Sequence, residues 1–159
     1  MAITYEPIAT TTLGSAAASV TFSSISGSYT DLVLIASGIS TGDFSTSLQF
    51  NSDTGNNYSA TLLYGTGSSA LSSRNSNTSA GYAGRVGSNG SASIHHIMNY
   101  SNATTYKTAI SRGNNADSIT MANVCLWRDT AAITTVKLQC DGANFSTGST
   151  FTLYGIKSA

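Results

Sequence analysis

Along most of the chain, apolar and polar residues alternate one for one, the period of a strand with a single buried face. Val136, Leu138 and Cys140 fall on one side of such a segment, and Lys137 and Gln139 on the other. This reading predicts short strands at Ile8–Leu13, Val20–Ile25, Asp31–Ser37, Ser47–Phe50 and Tyr58–Tyr64. It predicts five more at Ile94–Tyr100, Tyr106–Arg112, Ile119–Trp127, Ile133–Cys140 and Thr150–Ile156. Leu32–Ala36 is apolar at every position, so it is expected to be buried on both faces or central in its sheet. Clusters such as Ser26-Gly27-Ser28, Thr41-Gly42-Asp43 and Asp141-Gly142 separate the strands with turn chemistry. Helical periodicity is nearly absent. Only Ala16-Ala17-Ala18 favours a helix, and Ser, Thr and Gly surround it.

Short strands with no helix between them exclude a parallel βαβ sheet. The predicted fold is all-β: an antiparallel β-sandwich, jelly-roll-like, with about eight to ten short strands in two sheets of four or five. The immunoglobulin pattern is missing, because Trp127 follows Cys125 by two instead of lying between two cysteines. Residues 1–159 are read as a single sandwich domain with one long Gly/Ser/Asn-rich loop at about 65–93. Few apolar side chains interrupt that stretch, and loops of such length are usually functional or unstructured. It is expected to be ordered by a partner, such as a symmetry copy. In the closing stretch Gly148–Ala159, Phe151 and Leu153 should enter the core while Thr152 and Tyr154 face away. Gly155 should allow a bulge or a close backbone approach, and this last strand should pair inside a sheet.

Composition narrows the partners. The formal net charge is zero and only 9% of residues are charged, so there is no basic excess to neutralise phosphates; no nucleic acid is expected. Hydrophobic residues make up 40%, which argues against disorder. Ser and Thr supply roughly three residues in ten. A surface of hydroxyls and amides repels its own copies weakly, which suits dense packing against neighbours. Met1–Pro7 lacks the basic and apolar regions of a signal peptide, and Leu32–Ala36 is too short to span a bilayer. The expectation is synthesis in a cytoplasm and no membrane partner. With a hairpin loop at Asp129–Ala132, Cys125 faces Val136 and Cys140 faces Met121. That register keeps the two sulfurs apart and predicts two free buried thiols.

Candidate chemistry is sparse. His95 and His96 are adjacent on a predicted strand, so one should point inward and one outward; they cannot share a metal there. The carboxylates Glu6, Asp31, Asp43, Asp53, Asp117, Asp129 and Asp141 are scattered, mostly at turns, with no acid–base spacing. Asn51–Asn57 has oxygen ligands on alternate residues but lacks the sixth-position glycine and bidentate acid of a calcium loop; it reads as a polar turn. No Gly-x-Ser-x-Gly, P-loop or CxxC occurs. Six Asn-x-Ser/Thr sequons, at Asn57, Asn77, Asn89, Asn99, Asn102 and Asn144, are what such a composition generates by chance. Neither catalytic residues, nor a cofactor, nor a metal site are predicted. Tyr58, Tyr64, Tyr82, Tyr100 and Tyr106 offer a sugar-stacking platform on one reading and ordinary sandwich tyrosines on the other. Tyr64, Arg74, Tyr82 and Arg85 are the candidate contacts for a partner or a glycan.

Four strings carry a resemblance: Tyr5–Ile25 (YEPIATTTLGSAAASVTFSSI), Tyr29–Gly38 (YTDLVLIASG), Leu48–Ser73 (LQFNSDTGNNYSATLLYGTGSSALSS) and Gly148–Ala159 (GSTFTLYGIKSA). They resemble small virion structural proteins of tailed phages infecting marine bacteria and cyanobacteria. Similar segments occur in longer fibre-like phage proteins. The resemblance spans most of the chain and weakens between about Ser73 and Ser93. It implies a non-enzymatic structural role in a virion assembled in the host cytoplasm, and a β-sandwich or jelly-roll fold. The expected role is capsid decoration or cement on the outer head surface, as a homo-oligomer, a trimer by preference, against other virion proteins such as the major capsid protein. The alternative is a receptor-binding or tail-fibre module that recognises host surface glycan. The matching strings contain no catalytic residue, so no site residue is carried over.

Overall fold

The computed structural model describes residues 4–116 and 118–157. Twelve strands and no helix are found among them. They are β1 (Tyr5–Thr12), β2 (Ser19–Phe22), β3 (Asp31–Gly38), β4 (Phe44–Phe50), β5 (Tyr58–Gly65) and β6 (Ala70–Thr78). Then come β7 (Gly81–Val86), β8 (Ser91–Met98), β9 (Lys107–Asn115), β10 (Ile119–Trp127), β11 (Val136–Cys140) and β12 (Thr150–Ile156). They form an eight-stranded sheet in the order β1-β12-β3-β8-β9-β10-β5-β6 and a four-stranded sheet in the order β2-β11-β4-β7. Every pairing is antiparallel.

The core lies between the sheets. Leu32, Leu34, Phe151 and Leu153 point into it from the large sheet, and Val20, Leu48, Val136 and Leu138 from the small one. At one end Trp127 stacks on Tyr58 with ring centroids 6.3 Å apart and meets Phe50 at 5.6 Å. Such ring pairs add roughly 0.5–1.5 kcal/mol each beyond the area they bury. β12 sits between β1 and β3 along its whole length, so the closing strand is an interior strand. Gly155 provides the close approach: a Cβ there would run into the Tyr29 ring. The local bulge lies instead on the paired strand, between Pro7 and Ala9.

Three expectations need correction. There are twelve strands instead of eight to ten, divided eight and four instead of evenly. The 65–93 loop contains β6, β7 and the start of β8. β6 escaped the hydrophobic pattern because both of its faces are in water, so nothing selects alternation; residues 70–77 are all exposed. β7 escaped because Gly81 and Gly84 interrupt any alternation and let it lie close to the large sheet. A Cβ on Gly81 would collide with the Cys125 sulfur, and one on Gly84 would touch Met121. Finally, Cys125 and Cys140 are not on paired strands: β10 pairs with β5 and β9, and β11 with β2 and β4. Both thiols are free and buried, as expected, but because they belong to different sheets.

Candidate functional site

His95, His96 and Asp53 are engaged in internal hydrogen bonds, and Asp117 lies outside the described residues. His95 is fully buried, with Nε2 2.9 Å from the Ser93 hydroxyl and Nδ1 2.8 Å from that of Ser111. Burial lowers its pKa to about 4. His96 points out of the opposite face and lies 2.9 Å from Asp31, so the adjacent histidines divide as the strand period requires. Asp53 accepts from the Gly55 amide at 2.7 Å, from Asn57 at 2.9 Å and from the Trp127 indole at 2.6 Å. These donors hold its carboxyl below the usual range, the indole foremost. The Asn51–Asn57 segment is thus a turn organised inward around its acid. No group of three or more His, Cys, Asp or Glu is placed to hold a metal among the described residues. Burial raises the thiol pKa of Cys125 to about 12 and of Cys140 to about 11.

Sequence reasoning missed Lys107 altogether. It is fully buried, and its ammonium donates to the carbonyls of Thr105 at 2.7 Å and Thr130 at 2.9 Å. A charged group inside is tolerated only with such partners. Here it ties the start of β9 to the segment between β10 and β11. A lysine between polar residues gives no hint of this in sequence.

The four candidate contact residues divide. Tyr64 on β5 is paired with Met121 on β10, and the Tyr82 hydroxyl on β7 lies 3.7 Å from the Met121 sulfur. Arg85, three residues along β7, donates to Asp43 at 2.7 Å. Tyr64 is on the inner side of the large sheet, and Tyr82 and Arg85 are on β7 of the small sheet, which packs against that side. Arg74 on β6 is in register with Thr61 on the outer side, apart from the others. The five-tyrosine platform does not form, since Tyr58 and Tyr100 are fully buried. Tyr82 instead helps line a polar hollow with Asn75, Thr78, Gln139 and Asp141.

The largest unexplained feature is the outer face of the eight-stranded sheet. The small sheet covers only the inner face. The strand registers place two neighbouring rows across the outer face. One runs Tyr154, Val33, His96, Ile110, Val124, Thr61, Arg74. The other runs Thr152, Ile35, Ile94, Arg112, Ala122, Leu63, Ser72. Of the eight large hydrophobic side chains that remain exposed among the described residues, five are on this face: Tyr5, Ile35, Leu63, Ile110 and Val124. Leu63 is 61% exposed and Val124 47%. At the β1–β9 half the face is hollowed, with Val33, Ile35, Ile94 and Ile110 lining the depression and Arg112 and His96 beside them. Single exposed apolar residues need no explanation, but here apolar side chains recur on five neighbouring strands, about 19 Å at the usual strand spacing, with His96, Arg112 and Thr61 among them. The rows were invisible before the strand order was known, because each strand contributes only one or two of their residues. In comparisons with known proteins, no family model matches the chain, and none of the curated proteins matches it.

Proposed function

We propose that this chain is a non-enzymatic structural protein of a phage virion, a decoration or cement protein that docks on the outer surface of the head. The observation that carries the reading is the bare apolar face of the eight-stranded sheet, centred on Ile35, Ile110 and Val124. An interaction face of this kind gains its affinity from apolar contact with hydrogen bonds at the rim, and depends little on charge. The low charged fraction, 9% of residues, matches that. The family resemblance supplies the setting. The partners in this reading are the major capsid protein and further copies of the chain. Phage particles lacking the protein are expected to package DNA normally but to lose their heads sooner on heating. Particles that keep full thermal stability and lose only adsorption to cells would refute the proposal.

A second reading has one observation in its favour. The hollow lined by Tyr82, Asn75, Gln139 and Asp141 combines an aromatic ring with amide and carboxylate groups, the chemistry that grips a sugar. On this reading the chain is a receptor-binding or tail-fibre module. A glycan array with purified protein tests it, and a Tyr82→Ala variant that binds sugar as well as the parent would rule out this hollow.

A further inference from the structure

Among the described residues, the two edges of the large sheet are not equivalent. β1, at one edge, is defended. Pro7 removes a backbone donor, a bulge breaks its register between Pro7 and Ala9, and Glu6 is paired with Lys157 there. Proline, bulges and charge are the devices that stop strand edges from pairing with other chains. β6, at the other edge, has neither a proline nor a bulge from Ala70 to Ser76, and its one charge is Arg74. From Ala70 to Ser76 it follows β5 without a register break, opposite Gly65 to Ser59. The one irregularity lies beyond, at Asn77, whose φ is 55°. Residues 70–77 are exposed at every position, and no strand lies on the far side of β6. The small sheet's edges are lesser templates: β2 has four residues, and β7 is bulged against β4 and contains Gly84 at φ 155°.

We infer that β6 is a self-association edge, and that two copies of this chain join β6 to β6 antiparallel across a two-fold axis to make one continuous sheet. The occupant follows from the asymmetry of the edges. A chain with two open edges would grow into a filament, whereas one open and one blocked edge closes at two. Composition supports a copy as the partner, since β6 contains a single charged residue, Arg74. The register follows from overlap and charge. Opposed residues must point to the same face, so the axis passes through a residue position. An axis at Arg74 sets two guanidiniums against each other and shortens the overlap. Ser73 is the midpoint of the unbroken run Ala70–Ser76 and gives full overlap, with each Arg74 opposite Ser72 of the other copy. An axis perpendicular to the sheet leaves both outer faces on the same side, so the dimer presents two apolar faces in one direction. This association is two-fold, not the trimer expected from sequence, and it does not rest on the virion reading.

The full chain is examined by sedimentation over the micromolar range, beside a Ser73→Cys variant under mild oxidation; Cys125 and Cys140 are buried and do not interfere. Across the proposed axis the two residue-73 Cα atoms lie about 4.5–5.5 Å apart, within disulfide reach. The expected result is a monomer–dimer equilibrium that Ser73→Cys locks into a covalent dimer with a native melting curve. Ser72→Glu should tighten the dimer roughly fivefold and Ser72→Lys weaken it by a similar factor, through two exposed charge pairs with Arg74. A chain that stays monomeric, an assembly larger than two, or a dimer that Ser73→Cys fails to lock overturns the inference.

Discussion

The indole N–H of Trp127 donates to Asp53 Oδ2 at 2.6 Å, joining the end of β10 to the turn between β4 and β5. The two residues are far apart in sequence, and the bond fixes the end of the core where Trp127, Tyr58 and Phe50 meet. Asp53→Ala leaves the donor of a buried ring unmatched and should cost about 1–3 kcal/mol in stability. Trp127 is the single tryptophan, so its fluorescence reports urea unfolding directly. The Asp53 pKa is depressed in the folded state. Its contribution is therefore complete above the unfolded carboxylate pKa and is lost as pH falls through the lower folded value. Asp53→Asn should flatten the parent's loss of stability below about pH 4.

His95 gives a second pH dependence, in a different window. Its folded pKa is about 4, lowered by burial, against about 6.5 in an unfolded chain. Between these values the unfolded state binds more protons, so stability is full above the unfolded pKa and falls as pH drops toward 4. The total is on the order of 3 kcal/mol. His95→Gln should be less stable at neutral pH and should lose this slope, as checked by urea unfolding at a series of pH values.

Cys125 and Cys140 should both resist a thiol reagent at mildly alkaline pH in the folded protein. Burial blocks access, and the raised pKa values keep both sulfurs protonated. Labelling should appear together with global unfolding on addition of denaturant. Labelling of either residue at the unfolded rate without denaturant would contradict this packing.

Gly155→Ala places a methyl group against the Tyr29 ring and should cost about 1–3 kcal/mol by overpacking. Removing Thr150–Ala159 should do far more. It withdraws the strand between β1 and β3, and Phe151 and Leu153 with it, so no cooperatively melting product is expected. Thermal melts followed by circular dichroism check both.

The parts of the fold that could be read in advance are those where one face is buried. Val136, Leu138 and Cys140 alternate because one side of β11 meets the core, and that side is visible in sequence. The pattern fails where the physics that creates it is missing. β6 buries neither face, and β7 trades side chains for close approach through Gly81 and Gly84. Pairing is harder still, because β5 meets β10 across a long stretch of intervening chain, which no local signal encodes. The candidate surface suffers from this most. Ile35, Ile110 and Val124 are ordinary strand residues in sequence and become a surface only when β3, β8, β9 and β10 are set side by side. Tyr64, Tyr82 and Arg85 did come together, yet Arg85 is held by Asp43, and Arg74 lies on the opposite side of the large sheet.

In the proposed function, the outer face of the eight-stranded sheet docks the protein on the virion. The most direct measurement is a quantitative gel of particles lacking the protein after incubation with purified parent or with Val124→Glu. Val124 is on the outer face and 47% exposed, so the substitution should leave the melting temperature nearly unchanged. The parent is expected to return to the particles at high copy number, and Val124→Glu is expected to stay off them. Equal occupancy by the folded variant would contradict it.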